Sequence, residues 1–342
     1  MLFRNVYGLD LGTYDIKVYD KKRKLVWKEK NSIAIQNKKE IFASGDEAYE
    51  MYEKAPEGVG VIFPMREGAI AEFTQMQNLL ETLLKKERPF SKGGEYLLAV
   101  PTDATSIEKR ACYDLVVHSS ARAKSVRIME KGIADAISAG IDVSNTNGDL
   151  IVNFGAGTTE ISVIASGNLI LNRLLKIGGI HLDASITHLV RKNLDFMIGD
   201  KTAEALRKRF GVVRESTDSS LEISGRNLTT RCPESKKIPM RFIRTAMKEP
   251  LETCVDTIQM LLDRTPPLVR KSIYEHGIYI TGGVANMVGL STYLKERLEL
   301  DVNRVKDPEY STVCGLESVI GDKKQYKTLT YSMLDEDYRW LQ

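Results

Sequence analysis

Two distant stretches of the chain follow one plan. Residues 6–20 read VYGLDLGTYDIKVYD and residues 150–166 read LIVNFGAGTTEISVIAS. Each runs from a short apolar segment through one polar residue to a glycine-containing turn, then into an alternating apolar–polar segment. A short apolar run before a turn and strict alternation after it predict two paired strands. Asp10 then corresponds to Asn153, and Gly12 to Gly155. A chain that repeats such a hairpin predicts two related halves, with a glycine turn from each side facing a shared cleft. Glycine has no Cβ, so backbone N–H groups in these turns can approach phosphate oxygens closely. The hydroxyls of Thr13, Thr158 and Thr159 add donors. Taken alone, either turn is equally an ordinary tight hairpin.

The 342 residues suit two lobes better than one. Between and after the hairpins, strands alternate with helices. Lys24–Trp27 reads as a third strand. Glu72–Lys86 has helical spacing, with Met76, Leu79, Leu80 and Leu83 on one face. Tyr96–Val100 is a buried-type strand ended by Pro101. Thr105 with Glu108 forms a capping box opening a helix that runs to about His118. Further helices are expected near 182–195, 201–210, 240–263 and 289–299, and a strand over Gly277–Ile280, while residues 33–68 show no strong period. Alternation of this kind is an α/β pattern. After that strand, Gly282-Gly283 lets a flat group or phosphate pass close to the backbone before a helix N-terminus.

Several function classes are excluded at this stage. The 49 basic and 46 acidic residues give a net charge of +3 and form no basic stripe, so a nucleic-acid partner is not expected. Cys112, Cys232, Cys254 and Cys314 lie far apart with no CxxC pair, which argues against a zinc site or disulfide framework and for a reducing cytoplasm. The opening MLFRNVYGLD turns polar too soon for a signal peptide. No apolar run approaches the roughly 20 residues of a membrane span, so the chain is expected to be soluble or at most peripheral.

The order of DLGT, FPMREGAIAEF, VPTDATSIEKRA, NFGAGTTEISVIASG, KTAEALRKRFG, SGRNLTTRCP, DRTPPLVRKSIYEHGIYITGG and GLSTYL closely resembles the MreB family of rod shape-determining bacterial actin homologues, over about residues 5–320. The resemblance implies the actin-like ATPase fold: two duplicated lobes around a nucleotide cleft, each with a smaller subdomain. Lobe IA is expected over 1–32, 70–144 and 312–342, and subdomain IB over 33–69. Lobe IIA is expected over 145–180 and 250–311, and subdomain IIB over 181–249. The implied cofactors are ATP and Mg²⁺. Asp10 matches the carboxylate that holds magnesium, usually through water. Thr13, Tyr14 and Asp15 match the first phosphate loop, and Gly155, Gly157, Thr158 and Thr159 the second. Glu204, Ala205, Leu206 and Arg207 match the helix touching the nucleoside, and Gly282, Gly283, Val284 and Ala285 the adenosine side. Lys17 has the spacing from Asp10 of the phosphate-binding lysine in actins, or is an exposed strand lysine.

The chain departs from the family in the same small region. Asn153 stands where the family has the aspartate of DIGGGTTE, removing a negative charge that helps place the metal, and Ala156 replaces a glycine. In IMEKGIADAIS, residues 128–138, Lys131 falls on the second glutamate of EEPMAAAIG, the residue expected to activate the attacking water. A protonated lysine has three donors and no acceptor, so it cannot act as that base. It can pair with a phosphate, which favours binding over turnover. Alternatively the alignment slips by one, leaving Glu130 in place and Lys131 in solvent. Tyr14 and Asp15 replace Ala-Asn, and Asp15 is repulsive to a triphosphate unless a metal or Lys17 compensates. Val284 replaces a third glycine, and Ile180 the aspartate of the GGD motif.

By resemblance, the partners are further copies of the chain in a homopolymer, MreB paralogues, cell-wall elongation proteins and the inner face of the cytoplasmic membrane. Leu2 and Phe3, and Pro89-Phe90 among Lys85, Lys86, Arg88 and Lys92, offer apolar tips ringed by cations that fit anionic lipid; the second is equally an ordinary solvated loop. A filament protein can lose turnover and keep assembly, so a damaged site favours a structural role. The competing reading is a non-hydrolysing adaptor that co-assembles with an intact paralogue. A small-molecule kinase lacks a substrate motif here, and a heat-shock-type chaperone lacks a peptide-binding domain.

Overall fold

The computed structural model describes residues 5–37, 40–86, 93–120, 122–212 and 220–334. Both predicted hairpins form. Val6–Leu11 pairs antiparallel with Asp15–Asp20, which pairs antiparallel with Leu25–Lys30. On its other edge Val6–Leu11 runs parallel to Glu95–Val100, and that strand parallel to Ser125–Glu130. The second five-stranded sheet repeats each step. Asp149–Phe154 pairs antiparallel with Thr159–Ala165, then comes Asn168–Leu175, while the other edge adds Ile278–Thr281 and Val302–Arg304 in parallel. The sequence repeat is therefore a repeat of topology over whole sheets. The central strands are buried on both faces, which is why they read as nearly continuous apolar runs.

Between the sheets lies a shared core. Leu97, Ala99 and Met129 of the first sheet and Ile151 and Ile164 of the second pack around two helices, Lys131–Ser138 and Ser311–Gly321, through Ile133, Ala134, Val313 and Leu316. Neither helix is evident from periodicity. The first is eight residues long and follows the edge strand without a break, so it lacks the length over which a period shows. On the outer face of the first sheet, Phe73–Lys86 presents Met76, Leu79, Leu80 and Leu83 as expected, all buried. The capping box at Thr105 and Glu108 is formed, starting the helix Ser106–Val117.

Each sheet carries a smaller one. Residues 33–62, within the stretch without a period, hold Ile33–Gln36 between Glu40–Ser44 and Val59–Ile62, with a short helix Asp46–Met51. Strands of four or five residues with an exposed face are too short to declare themselves in sequence. The second small sheet joins Phe196–Met197, Ser220–Asn227 and Pro233–Pro239 beside the helix Asp200–Phe210. Among the described residues no helix is long and apolar enough to cross a membrane. Leu2, Phe3, Pro89 and Phe90, named above for lipid contact, lie outside the described residues.

Candidate functional site

The two glycine turns close in the same way: Gly12 N–H donates to the Asp15 carbonyl at 3.0 Å, and Gly155 N–H to the Thr158 carbonyl at 2.8 Å. They also touch. A Cβ on Gly157 would lie 2.7 Å from Thr13 Oγ1, so only glycine allows this approach. Thr13 Oγ1 in turn accepts from Gly68 N at 3.1 Å, bringing the tip of a third segment onto the turns. Gly282 stands at positive φ against the Phe154 carbonyl and Asn153, while Gly283 faces open space. The three glycine elements singled out in sequence therefore converge. One expected donor is absent from the set: the Thr159 hydroxyl is committed to the Ile177 carbonyl at 2.8 Å.

Below the turns lies a knot of charge. Lys131 Nζ is 3.0 Å from Asp10 Oδ1, and Lys17 Nζ is 3.6 Å from Asp10 Oδ2. Lys131 is directed inward with its side chain only 12% exposed, so it does not point to solvent as the slipped alignment requires. Glu130 instead points away, to Lys109 at 3.0 Å and Tyr331 at 2.8 Å. Lys17 is buried too, which removes the exposed-lysine reading. Burial works to raise the Asp10 pKa, but Lys131 and Lys17 outweigh it and hold the carboxyl below its ordinary value. Burial likewise works to deprotonate Lys131, and Asp10 and Glu160 overcome that. Glu160, accepting from Thr102 N at 3.1 Å, is a buried member of this cluster that the sequence reading passed over.

Asn153 does not face a missing acid; it contacts one. Its Nδ2 donates to Asp135 Oδ2 at 2.6 Å, and Thr312 donates to Asp135 Oδ1 at 2.8 Å. Asp135 is fully buried, and burial pushes its pKa up to about 7. The carboxylate absent from the turn thus reappears on the helix beneath it. The available signal was one acidic residue among Ile133, Ala134, Ala136 and Ile137.

Above the turns, side chains bridge the two halves. Tyr14 Oη lies 2.9–3.0 Å from both Glu204 carboxylate oxygens and 2.9 Å from Tyr49 Oη. Tyr52 donates to Asp200 at 2.6 Å, and Lys201 to the Tyr49 carbonyl at 2.8 Å. Lys30 sits 3.9 Å from the centroid of the Tyr14 ring and 2.7 Å from Asp15. The compensating cation at Asp15 is therefore Lys30, and neither a metal nor Lys17 is required. Lower down, Glu67 reaches Lys176 at 3.2 Å. The helix expected at the nucleoside is partly committed elsewhere: Arg207 is buried and holds Asp183 through two bonds of 2.7 and 3.0 Å, Leu206 packs in the core, and Ala205 is exposed. Val284 and Ala285 are also core side chains, leaving only their backbone to the cleft, and Ile180 is exposed.

Magnesium favours oxygen ligands and retains several waters. Here both oxygens of Asp10 have an ammonium at 3.0 or 3.6 Å, and the amide nitrogen of Asn153 is spent on Asp135. A unit charge about 4 Å from another interacts by about 4 kcal/mol at an effective dielectric near 20, so a dication there meets about twice that repulsion from each lysine. Among the described residues no group of three or more His, Cys, Asp or Glu side chains is placed to hold a metal. The residues do not fit a divalent ion held directly by the protein, because the oxygens of Asp10 face ammonium groups and Asn153 is committed to Asp135. What they do offer is backbone N–H groups and two buried cations, a receptor for a polyanion with no free carboxylate beside it.

Residues 4–328 match the family described as MreB/Mbl protein. The cell shape-determining protein MreB of Escherichia coli (strain K12) is 31% identical over 316 residues, covering 90% of each chain. The cell shape-determining protein Mbl of Bacillus subtilis (strain 168) is 28% identical over 312 residues, covering 90% of this chain and 93% of its own. The crystal structure of MreB5 of Spiroplasma citri bound to AMPPNP superposes with a TM-score of 0.89 at 28% identity, over 96% of this chain and 98% of that one. A MamK double helical filament subunit shares the fold, with a TM-score of 0.78 at 19% identity.

Proposed function

The chain belongs to the MreB/Mbl family of actin-like, cell shape-determining proteins, and we propose that it binds ATP between its lobes and assembles into filaments while hydrolysing the nucleotide slowly or not at all. The observation that carries the second half is Lys131. Its ammonium lies on Asp10 at 3.0 Å, where the family resemblance expects a carboxylate to activate water. A group with donors only cannot accept the proton that an attacking water must lose.

Support for nucleotide binding comes from the convergent glycine turns and from the AMPPNP bound to the Spiroplasma citri relative. In this reading residues 1–32, 70–144 and 312–342 form one lobe and 145–180 with 250–311 the other, with subdomains at 33–69 and 181–249. Thr13, Lys17, Lys131 and the backbone of Gly155–Thr158 hold the phosphates. Gly282, Gly283 and the backbone of Val284 and Ala285 border the adenosine. Glu204 faces the ribose side when Tyr14 releases it. Closure of the lobes shapes the subunit for stacking, and hydrolysis, which would drive disassembly, is nearly removed. The filament's place is the inner face of the cytoplasmic membrane, where it organises cell-wall synthesis.

Sedimentation of the purified protein with anionic liposomes, with and without ATP, followed by electron microscopy, tests this. Nucleotide-dependent filaments on lipid are expected. Absence of filaments under every nucleotide, with co-assembly restored by an intact MreB paralogue, would move the chain to the adaptor role that the same lysine allows.

A further inference from the structure

Lys131 is more than a lost base. We propose that its ammonium stands in for the divalent cation, so that this chain binds a nucleoside triphosphate without metal; the inference rests on the nucleotide reading above. Three observations converge. The first is position. Asp10 Oδ1 is buried with no aligned hydrogen-bond donor, and the cation it faces is the Lys131 ammonium at 3.0 Å. A carboxylate oxygen that would orient a metal or its water is already neutralised by a covalently tethered charge.

The second is charge balance. Asp10 contributes one negative charge and Lys17 and Lys131 one positive charge each, which leaves this trio at +1 before a ligand arrives. Glu160 interacts with Lys131 and brings the empty cluster close to neutral. With a carboxylate at position 131 the same four groups would stand at −2, so the lysine brings the two units of positive charge that a divalent cation would otherwise have to supply beside the phosphates. Each ammonium has three donors, so Lys131 keeps N–H groups for phosphate oxygens while it faces Asp10.

The third is the partner across the cleft. Asn153 is neutral, and its amide nitrogen is fixed on Asp135 at 2.6 Å. Neither hairpin therefore presents a carboxylate that is free of a cation or an amide. The lysine is delivered by the first turn of the helix Lys131–Ser138, whose packing in the shared core holds it in place without a ligand. A preformed cation of this kind has no recruitment step and cannot be removed by a chelator.

Equilibrium titration of the full chain with a fluorescent ATP analogue, in millimolar magnesium and again in excess EDTA, decides the matter. The two dissociation constants are expected to agree within about threefold, and Lys131→Arg is expected to preserve that agreement. Lys131→Met should weaken binding in EDTA by about tenfold or more, with circular dichroism melts confirming that the variant is folded. Lys131→Glu should make binding magnesium-dependent. A wild-type affinity that falls about a hundredfold in EDTA would overturn the inference while leaving nucleotide binding intact. Failure to bind in either buffer would overturn the nucleotide reading, and this inference with it.

Discussion

The two hairpins that face one another across the cleft share strand pairing and turn geometry, yet they handle charge in opposite ways. In the first, Asp10 remains and has drawn in two lysines, forming an ion cluster at the turn itself. In the second, the corresponding residue is the neutral Asn153, and the acid lies one layer deeper as Asp135. The backbone plan is the same because the sheets need it. The polar residue after the apolar strand is free to change, provided that its buried neighbour changes with it. Buried charge is costly when unpaired, so a substitution at one position obliges another nearby. Lys131 with Asp10, and Asp135 with Asn153, are two such compensations on one short helix.

Asp10→Ala should break the comparison most severely. It strands Lys17 and Lys131 next to each other, and removing one partner of a buried charge cluster typically costs about 3–5 kcal/mol. Denaturant unfolding should show that loss, with partial recovery on adding ATP; a change below about 1 kcal/mol would mean that the cluster is not a paired one. A second test uses pH. Asp135 is raised from 3.8 to about 7 in the folded chain, so between those values the native state holds a proton that the unfolded state has released. Stability should therefore fall as pH rises from about 4 to 7 and level off above, by an amount on the order of a few kcal/mol. Asp135→Asn should flatten that slope in urea titrations across the range.

Asn153→Asp sharpens the contrast by placing a second carboxyl 2.6 Å from the first. The loss expected is about 1–3 kcal/mol, larger at pH 8 than at pH 6, and relieved by adding Asp135→Ala. The smallest effect belongs to the bridge above the turns. Tyr14→Phe removes the hydroxyl shared by Glu204 and Tyr49, at about 1 kcal/mol. Glu204 keeps Lys208 at 2.6 Å and Tyr49 at 3.2 Å, so urea unfolding should show only that small loss; a loss above about 3 kcal/mol would mean that the phenol carries the contact between the halves.

How much of this the sequence discloses depends on whether a signal is local. The paired strands around Asp10 and Asn153 follow from period and glycine alone, and the helix Ser106–Val117 from its capping box. The substitution of Lys131 for a carboxylate is legible by comparison with the family pattern. Where its ammonium points is not, because that depends on a packed core formed by helices distant in the chain. Lys30 escaped notice for the same reason: it reaches Asp15 only through the pairing of adjacent strands. Tyr49 and Glu204 meet Tyr14 across long stretches of chain, and no periodicity reports such a contact. Asp135 alone left a trace, as one acid in an apolar run.

With an ammonium in the place of a base, the proposed behaviour of this member of the family is to hold ATP without turning it over. Phosphate release by the purified wild-type chain, measured with saturating magnesium-ATP under conditions where binding is demonstrated, tests it most directly. Release indistinguishable from the protein-free control is expected, with or without filaments. Steady release at a rate comparable to an intact MreB measured in parallel, abolished by Asp10→Ala, would contradict it.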